Sequence, residues 1–295
     1  MKASTLKKII KNPALVIKPL GRRGILSFLS DETYLKLLYR AELGKKLNLE
    51  SPKSFNEKMQ WLKINDRNPE YIQWVDKISV KSMIEKTIGK KYVVPLIGEW
   101  NNSNEIDFDK VPDLCVFKCN HDQGSTRIYK RGESDEKELC KHLTKCLANN
   151  PYSETREWPY KGIKPKILCE PFLADDIVDY KIFCFNGIPR IVNIGMKSQK
   201  DQKTRITFLD MNWNLLSIQR SDFDRVKYLP QKPECFNEIC NAAEKLAKGK
   251  KFVRIDFFIV DGKPYFSEFT LYPTSGLVKF TPDEGDLIFG KWLKL

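Results

Sequence analysis

The sequence predicts an α+β fold with largely antiparallel sheets, and three observations point that way. Apolar residues recur at helical spacing through most of the chain before Tyr92. After it come strand-like runs, two pairs of which flank the turn dipeptides Asn186-Gly187 and Asp261-Gly262, a strong hairpin signal. No alternating βαβ series and no Gly-x-Gly-x-x-Gly occurs, which argues against a Rossmann domain.

In chain order, the first stretch mixes Lys7, Lys8, Lys11, Lys18, Arg22 and Arg23 with Leu, Ile and Phe and is broken by a turn at 19–24. Ser30-Asp31-Glu32 is a helix start, and Tyr34, Leu35, Leu37, Leu38 and Leu43 follow at helical spacing. Peripheral contact with an anionic membrane is one reading of this region. An ordinary helical lobe with a solvated basic face fits better, because the apolar stripe is interrupted. A second helix runs from Ser54 to Asp66 through Phe55, Met59, Trp61 and Leu62, and a third begins near Asp76. Tyr92 to Ile97, Leu114 to Lys118 and Ile167 to Glu170 read as strands, with a helix at Glu136 to Leu147. Tyr180–Phe185 with Ile188–Ile194, and Phe252–Val260 with Pro264–Leu271, form the two hairpins, and a helix at Phe236 to Lys248 separates them. The expected division is a basic helical N-terminal region at 1–75, one subdomain at 76–170 and another at 171–295.

Composition bounds the partners. A chain of 295 residues with 41% hydrophobic and 12% aromatic residues can bury a sizeable core and is not of the disordered class. Against 38 Asp and Glu stand 51 Lys and Arg, a formal charge of +13. That excess calls for an anionic partner: nucleic acid, membrane surface, nucleotide phosphates or an acidic polymer. The eight cysteines sit largely in apolar runs, and the first residues lack a secretory pattern, so reduced thiols and a cytoplasmic location are expected. With no Cys-x-x-Cys and two histidines, neither a zinc site nor a His-dependent hydrolase is expected.

Charge embedded in apolar strands marks the chemistry. Arg254 and Asp256 share one strand face, as do Glu268 and Thr270, because strand side chains alternate. A two-residue loop at Asp261-Gly262 would place Asp256 opposite Ser267; a three-residue turn, Asp261-Gly262-Lys263, would pair it with Glu268. The latter is expected, and two facing carboxylates need a cation between them. Mg²⁺, which takes oxygen ligands and retains waters, suits such a pair together with phosphates. A buried ion pair of Arg254 with the carboxylates is the competing reading. Lys118 ends an apolar strand before the polar run Cys119 to Thr126, whose backbone N–H groups could fold over phosphates. Lys181 shares a strand face with Phe183 and Phe185.

Together these residues resemble the ATP-grasp superfamily and, more closely, the TupA-like ATP-grasp family of teichuronopeptide synthesis. Ser54-Phe55-Asn56-Glu57-Lys58, Lys118-Cys119-Asn120-His121, Asp179 to Gly187 and Val253-Arg254-Ile255-Asp256 carry the match, which covers about 29–295. The resemblance implies the ATP-grasp fold: two α+β subdomains gripping ATP, behind a helical N-terminal region. It implies that Lys77 and Lys118 hold the nucleotide phosphates, with Gly124 and Ser125 in the loop closing over them. Glu170 and the backbone at Phe172 would line the adenine pocket, and Lys181 would reach the phosphates from the second sheet. Asp256, Glu268 and Thr270 would bind Mg²⁺, and Arg254 would steady the transferring phosphoryl group, so Arg254 and Lys181 are the catalytic pair.

Two departures stand out. Thr270 occupies a position where the superfamily usually has Asn, and Asp122 adds a negative charge to the phosphate loop. Asp122 is expected to point outward or to meet a metal or the incoming amine.

The implied reaction is amide formation through an acyl phosphate. By resemblance the acid is a uronic acid carboxyl of a surface polysaccharide, capsular or cell-wall, or its lipid-linked precursor. The partner is an amino acid or related amine. The basic loop Lys197, Lys200, Lys203 and Arg205, with Arg190 nearby in sequence, could receive that carboxylate, although a solvated loop is the plainer reading. The enzyme would be cytoplasmic, with the inner membrane face as a candidate contact. A polysaccharide glycosyltransferase or an ATP-dependent sugar kinase is the alternative. A nucleic-acid-binding module would leave Arg254, Asp256 and Glu268 without a task, so no nucleic acid partner is expected.

Overall fold

The structure, a computed structural model, describes residues 14–175, 177–197 and 203–295. Lys7, Lys8, Lys11 and Lys200 of the sequence reading lie outside the described residues. The chain begins with helices α1 (Ala14–Arg22), α2 (Asp31–Leu43), α3 (Phe55–Asn65), α4 (Glu70–Val75) and α5 (Val80–Thr87). Strands β1 (Gly98–Trp100), β2 (Leu114–Cys119) and β3 (Arg127–Lys130) follow, then α6 (Glu136–Leu147), α7 (Pro151–Thr155) and β4 (Ile167–Pro171). The rest comprises β5 (Asp179–Phe185), β6 (Ile188–Lys197), β7 (Thr204–Asp210), β8 (Gln219–Arg220), α8 (Phe236–Ala247), β9 (Phe252–Val260), β10 (Lys263–Thr270), β11 (Phe280–Thr281) and α9 (Gly285–Trp292). Tyr92 to Ile97, expected as a strand, joins the sheet only at its end: the Ile97 N–H donates to the Cys169 carbonyl at 2.9 Å and the β1 ladder begins at Gly98, consistent with Pro95 supplying no donor.

Two antiparallel sheets carry the molecule. The smaller runs β1-β4-β2-β3 and the larger β10-β9-β5-β6-β7. Each has its own apolar core, one around Phe117, Tyr129 and Leu143, the other around Ile182, Phe257 and Phe289. On one face of the large sheet α8 packs against β5, β6 and β9. On the other, Phe55 of α3 sets its ring against Phe185, Phe252 and Phe289, with centroids 5.2 to 6.1 Å apart. The Ser54 to Lys58 stretch builds this contact. Ser54 and Glu57 form a reciprocal capping box, and Lys58 Nζ donates to the carbonyls of Gly290 and Leu293.

The two predicted hairpins form on left-handed pairs, Asn186 (φ 49°) with Gly187 (φ 83°) and Asp261 (φ 49°) with Gly262 (φ 73°). The second corrects the expected register. Lys263 pairs with Val260, so the turn has two residues and not three. A bulge at Ser267 then shifts the ladder by one and brings Glu268 opposite Asp256. The carboxylates face each other, as expected, but by a bulge.

Candidate active site

The large sheet places a charged cluster on the same face as the Phe55 contact, on the part that α3 leaves uncovered. Lys181 pairs across the ladder with Asp256, and Phe183 with Arg254. Arg254 forks onto Asp256, Nε to Oδ1 at 2.7 Å and Nη2 to Oδ2 at 2.6 Å, and reaches Glu268 Oε1 at 3.3 Å. Lys181 Nζ donates to Asp256 Oδ2 at 3.0 Å and to Asp179 at 3.0 Å. Thr270 Oγ1 lies 3.5 Å from Glu268 Oε1. Asp256 is wholly buried. Burial pushes its carboxyl up, but Arg254 and Lys181 more than offset that, and it sits below the usual carboxylate range. The same pairing holds Arg254 above its ordinary value despite burial.

The small sheet faces this cluster with a second one. Lys118, one residue before the end of β2, stands opposite Leu168 of β4, and its Nζ lies 2.6 Å from Glu170. Lys81 of α5, which the sequence reading passed over, bonds the other Glu170 oxygen at 2.5 Å and the Val94 carbonyl at 2.6 Å. Burial pushes the Glu170 carboxyl up; Lys118 and Lys81 pull it below the ordinary range. Lys77 joins the two clusters. Its Nζ donates to the Asp122 carbonyl at 2.7 Å and stands 3.9 Å from Glu268. A cavity of about 20 Å³ lies between the sheets, lined by Lys118 and Glu170 on one side and Phe258 and Phe266 on the other.

The loop after β2 is tied inward. Ser125 Oγ accepts from the Cys119 N–H at 2.8 Å and donates to Asp122 Oδ1 at 2.5 Å. Asp122 is therefore buried and does not point outward, because the Ser125 hydroxyl holds it. Gly124 takes φ +97° with open space where a Cβ would stand, a conformation that favours glycine. Phe172, half-buried, follows the end of β4 beside Glu170.

The suggested carboxylate receivers are not brought together. Arg190 is the extra residue of a β6 bulge near the hairpin turn, and it is exposed. Lys197 pairs with Thr204, and Arg205 with Met196, at the opposite end of β6, roughly 20 Å away by strand rise. Of Lys197 the backbone alone is described. A different cation was missed: Arg220 of β8, which forks onto Asp222 at 2.9 and 2.6 Å and donates to Thr274 Oγ1 at 2.9 Å. Arg220, Lys181, Arg254 and Asn193 all line a cavity of about 70 Å³ beside the charged cluster. No local pattern singles Arg220 out, since the contact joins residues 54 apart.

These donors suit a divalent cation shared with phosphates. Asp256 and Glu268 are adjacent hard oxygen donors, and three cations, Lys77, Lys181 and Arg254, surround them. Among the described residues no group of three or more His, Cys, Asp and Glu forms a closed metal cage. A site of two carboxylates plus phosphate oxygens and water is the arrangement Mg²⁺ takes.

A family model described as TupA-like ATPgrasp matches residues 57–294. Among solved structures the fold is similar to D-alanine–D-alanine ligase from Bacillus anthracis complexed with ATP, at 16% identity and a TM-score of 0.41, covering 73% of this chain and 57% of that one. It is also similar to D-alanine–D-alanine ligase from Helicobacter pylori, at 16% identity and TM-score 0.43, with 82% and 70% covered. L-amino acid ligase from Bacillus licheniformis aligns at 12% identity and TM-score 0.44, covering 85% and 55%. The chain thus spans 57% of the length of the Bacillus anthracis ligase. No curated protein matches the sequence.

Proposed function

The chain belongs to the TupA-like ATP-grasp family, and from that premise we propose that it is an ATP-dependent carboxylate–amine ligase acting on a uronic acid carboxyl. That carboxyl would sit on a surface polysaccharide or its precursor, and the amine would come from an amino acid or a related compound. One observation carries the reading: the Arg254, Asp256 and Glu268 cluster of the large sheet meets Lys77 and Lys118 of the small-sheet side across one cleft. Cations facing carboxylates over a gap suit a triphosphate with its metal better than either partner alone.

In this reading the 76–170 and 171–295 segments are the two halves of the grip. Lys77 and Lys118 bind phosphate oxygens, Gly124 and Ser125 shape the loop over them, and Glu170 with the backbone at Phe172 borders the base. Asp256, Glu268 and Thr270 would hold Mg²⁺, which neutralises charge building up on the phosphates. Arg254 and Lys181 would donate to the transferring phosphoryl group. Positioning and charge stabilisation make up the catalysis, so the lack of a histidine base or serine nucleophile in the cluster is no obstacle. The acid would be activated as an acyl phosphate, and water must be excluded while it lasts. Arg220, beside Lys181 and Arg254, replaces the 190–205 cations as the candidate receiver of the substrate carboxylate. Among the described residues no helix is long and apolar enough to cross a membrane. A cytoplasmic enzyme, with the basic N-terminal stretch near an anionic membrane face, is part of the proposal.

The test is Mg²⁺-dependent ADP release with glucuronate or galacturonate crossed against the L-amino acids, products being weighed by mass spectrometry. ADP release that needs both partners, with an amide product, is expected. A stable phosphate ester would replace the reading by a sugar kinase, and ATP-independent use of a UDP-sugar by a glycosyltransferase.

A further inference from the structure

A cavity of about 460 Å³ lies beside the 272–276 turn, outside every role assigned above. Its walls come from distant parts of the chain: Lys18 and Arg22 of α1, the 121–123 tip of the phosphate loop, Glu157 and Tyr160, and Thr274 with Ser275. The cavity adjoins the charged cluster from two directions. The Asp122 carbonyl in its wall accepts from Lys77 Nζ, the group 3.9 Å from Glu268. Tyr160 lies in the fields of Glu157 on one side and of Glu268 and Arg254 on the other. Thr274 is shared with the cavity that holds Lys181 and Arg254.

The cations of this cavity are already committed. Lys18 pairs with Glu42, and Arg22 forks onto Glu154 at 2.8 and 2.8 Å. The buried Lys63 amine behind the wall donates to Gln60 Oε1 at 3.1 Å, the Thr155 carbonyl at 3.0 Å, and the Ser275 carbonyl and hydroxyl at 2.8 Å each. Asp122 is occupied by Ser125. Glu157, which lies in the field of Lys63 and is hydrogen-bonded by Ser275 and Thr155, lines the cavity without a salt-bridge partner of its own among the described residues.

We propose that this cavity receives the incoming amine, and that Glu157 is the carboxylate that binds its ammonium group and takes its proton. The proposal rests on the ligase reading above. Glu157 removes one proton from R–NH₃⁺, and the freed lone pair attacks the acyl carbon of the acyl phosphate. The N–C bond forms as the C–O bond to phosphorus breaks. A second nitrogen proton leaves with the phosphate as HPO₄²⁻, and the proton on Glu157 passes to solvent through the cavity mouth. Burial lifts the Glu157 carboxyl above its ordinary range, although Lys63 and Ser275 pull it back, and a more basic carboxylate suits this task.

Hydroxylamine separates the steps. It is largely neutral at pH 7, traps an acyl phosphate as a hydroxamate, and needs no base to free its lone pair. Wild type, Glu157→Gln and Glu157→Asp are compared with the uronate and L-amino acid pair giving most ADP, and with hydroxylamine in place of the amino acid. The ratio of amide to hydroxamate is expected to fall at least tenfold in Glu157→Gln, with a raised KM for the amino acid. Glu157→Asp, which keeps the charge, should fall between. An unchanged ratio, or equal loss of both products in both variants, overturns the amine site while leaving the ligase reading intact. Wild type that forms neither hydroxamate nor ADP with any uronate overturns both.

Discussion

Asp256 and Glu268 face each other across one ladder yet differ in what their charge supports. Asp256 is wholly buried and is the shared counter-charge of Arg254 and Lys181, whereas the Glu268 side chain keeps 24% of its exposure. Asp256→Asn leaves two partly buried cations short of their partner and is expected to cost about 3 kcal/mol of stability, seen as a lower Tm, along with activity. Glu268→Gln is expected to shift stability by less than about 1 kcal/mol while abolishing Mg²⁺-dependent ADP release. Equal Tm losses in the two variants would contradict the assignment. Lys63 offers a pH test. Burial lowers its ammonium to about 8, Glu157 opposing that fall, so between that value and the unfolded pKa the unfolded chain holds more protons. Stability contributed by this residue therefore rises as pH climbs from about 8 to 10.4, by about 3 kcal/mol in full. Lys63→Met lacks the titration, so wild type minus variant, followed by denaturant unfolding at successive pH, should grow across that window. A difference that stays flat sinks the claim.

Elements made by local chemistry were legible in the sequence, and those made by distant contacts were not. Both hairpins follow from turn dipeptides that tolerate positive φ, and α3 from a capping box written within four residues. The alignment of Asp256 with Glu268 was expected for the wrong cause, because a bulge at Ser267 depends on how β10 lies on β9 and leaves no mark in the local pattern. Arg220 and Glu157 escaped notice for a similar reason: the contacts that tie them to the 272–276 turn, Thr274 and Ser275, lie far along the chain. The 272–276 turn gathers these contacts, and its geometry is tight. Gly276 has φ +63°, and a Cβ there would stand 2.4 Å from Met59 Cβ and 2.6 Å from Gln60 Nε2. The Gln60 amide donates to the carbonyls of Ser275 and Gly276, so the turn cannot back away without losing those bonds. Gly276→Ala is expected to cost about 2–3 kcal/mol in thermal unfolding. It should also raise the KM for acid and amine together, since Thr274 borders both cavities. A stable variant with unaltered constants would show that the turn does not shape either site.

At the scale of the whole molecule, the charge excess and the two-sheet architecture bear on one another. Much of the positive charge that first suggested an anionic partner is spread over surface ion pairs, but Lys77, Lys81, Lys118, Lys181 and Arg254 converge on one cleft from two separate cores. Between the sheets the cavity holds only about 20 Å³, and Glu170, clamped by Lys81 and Lys118, helps to line it. Sites for small molecules run to about 300–1,000 Å³. A nucleotide can therefore enter only if the cleft widens or the Glu170 ion pairs rearrange, and two sheets with independent cores can shift without either core being broken. Phosphate oxygens arriving at Lys118 would compete with Glu170 for the same ammonium, which couples entry to release of that clamp. Hydrogen exchange with and without Mg²⁺ and a non-hydrolysable ATP analogue reads this directly. Binding is expected to change protection on both walls at once, at 118–125 on the small-sheet side and at 256–270 on the large sheet, together with the 80–92 segment that packs in the large-sheet core. Lys118→Ala should weaken analogue binding at least tenfold and blunt the change on both walls. Protection confined to one wall, or binding unaffected by Lys118→Ala, would show that the cleft between the sheets is not where the nucleotide binds.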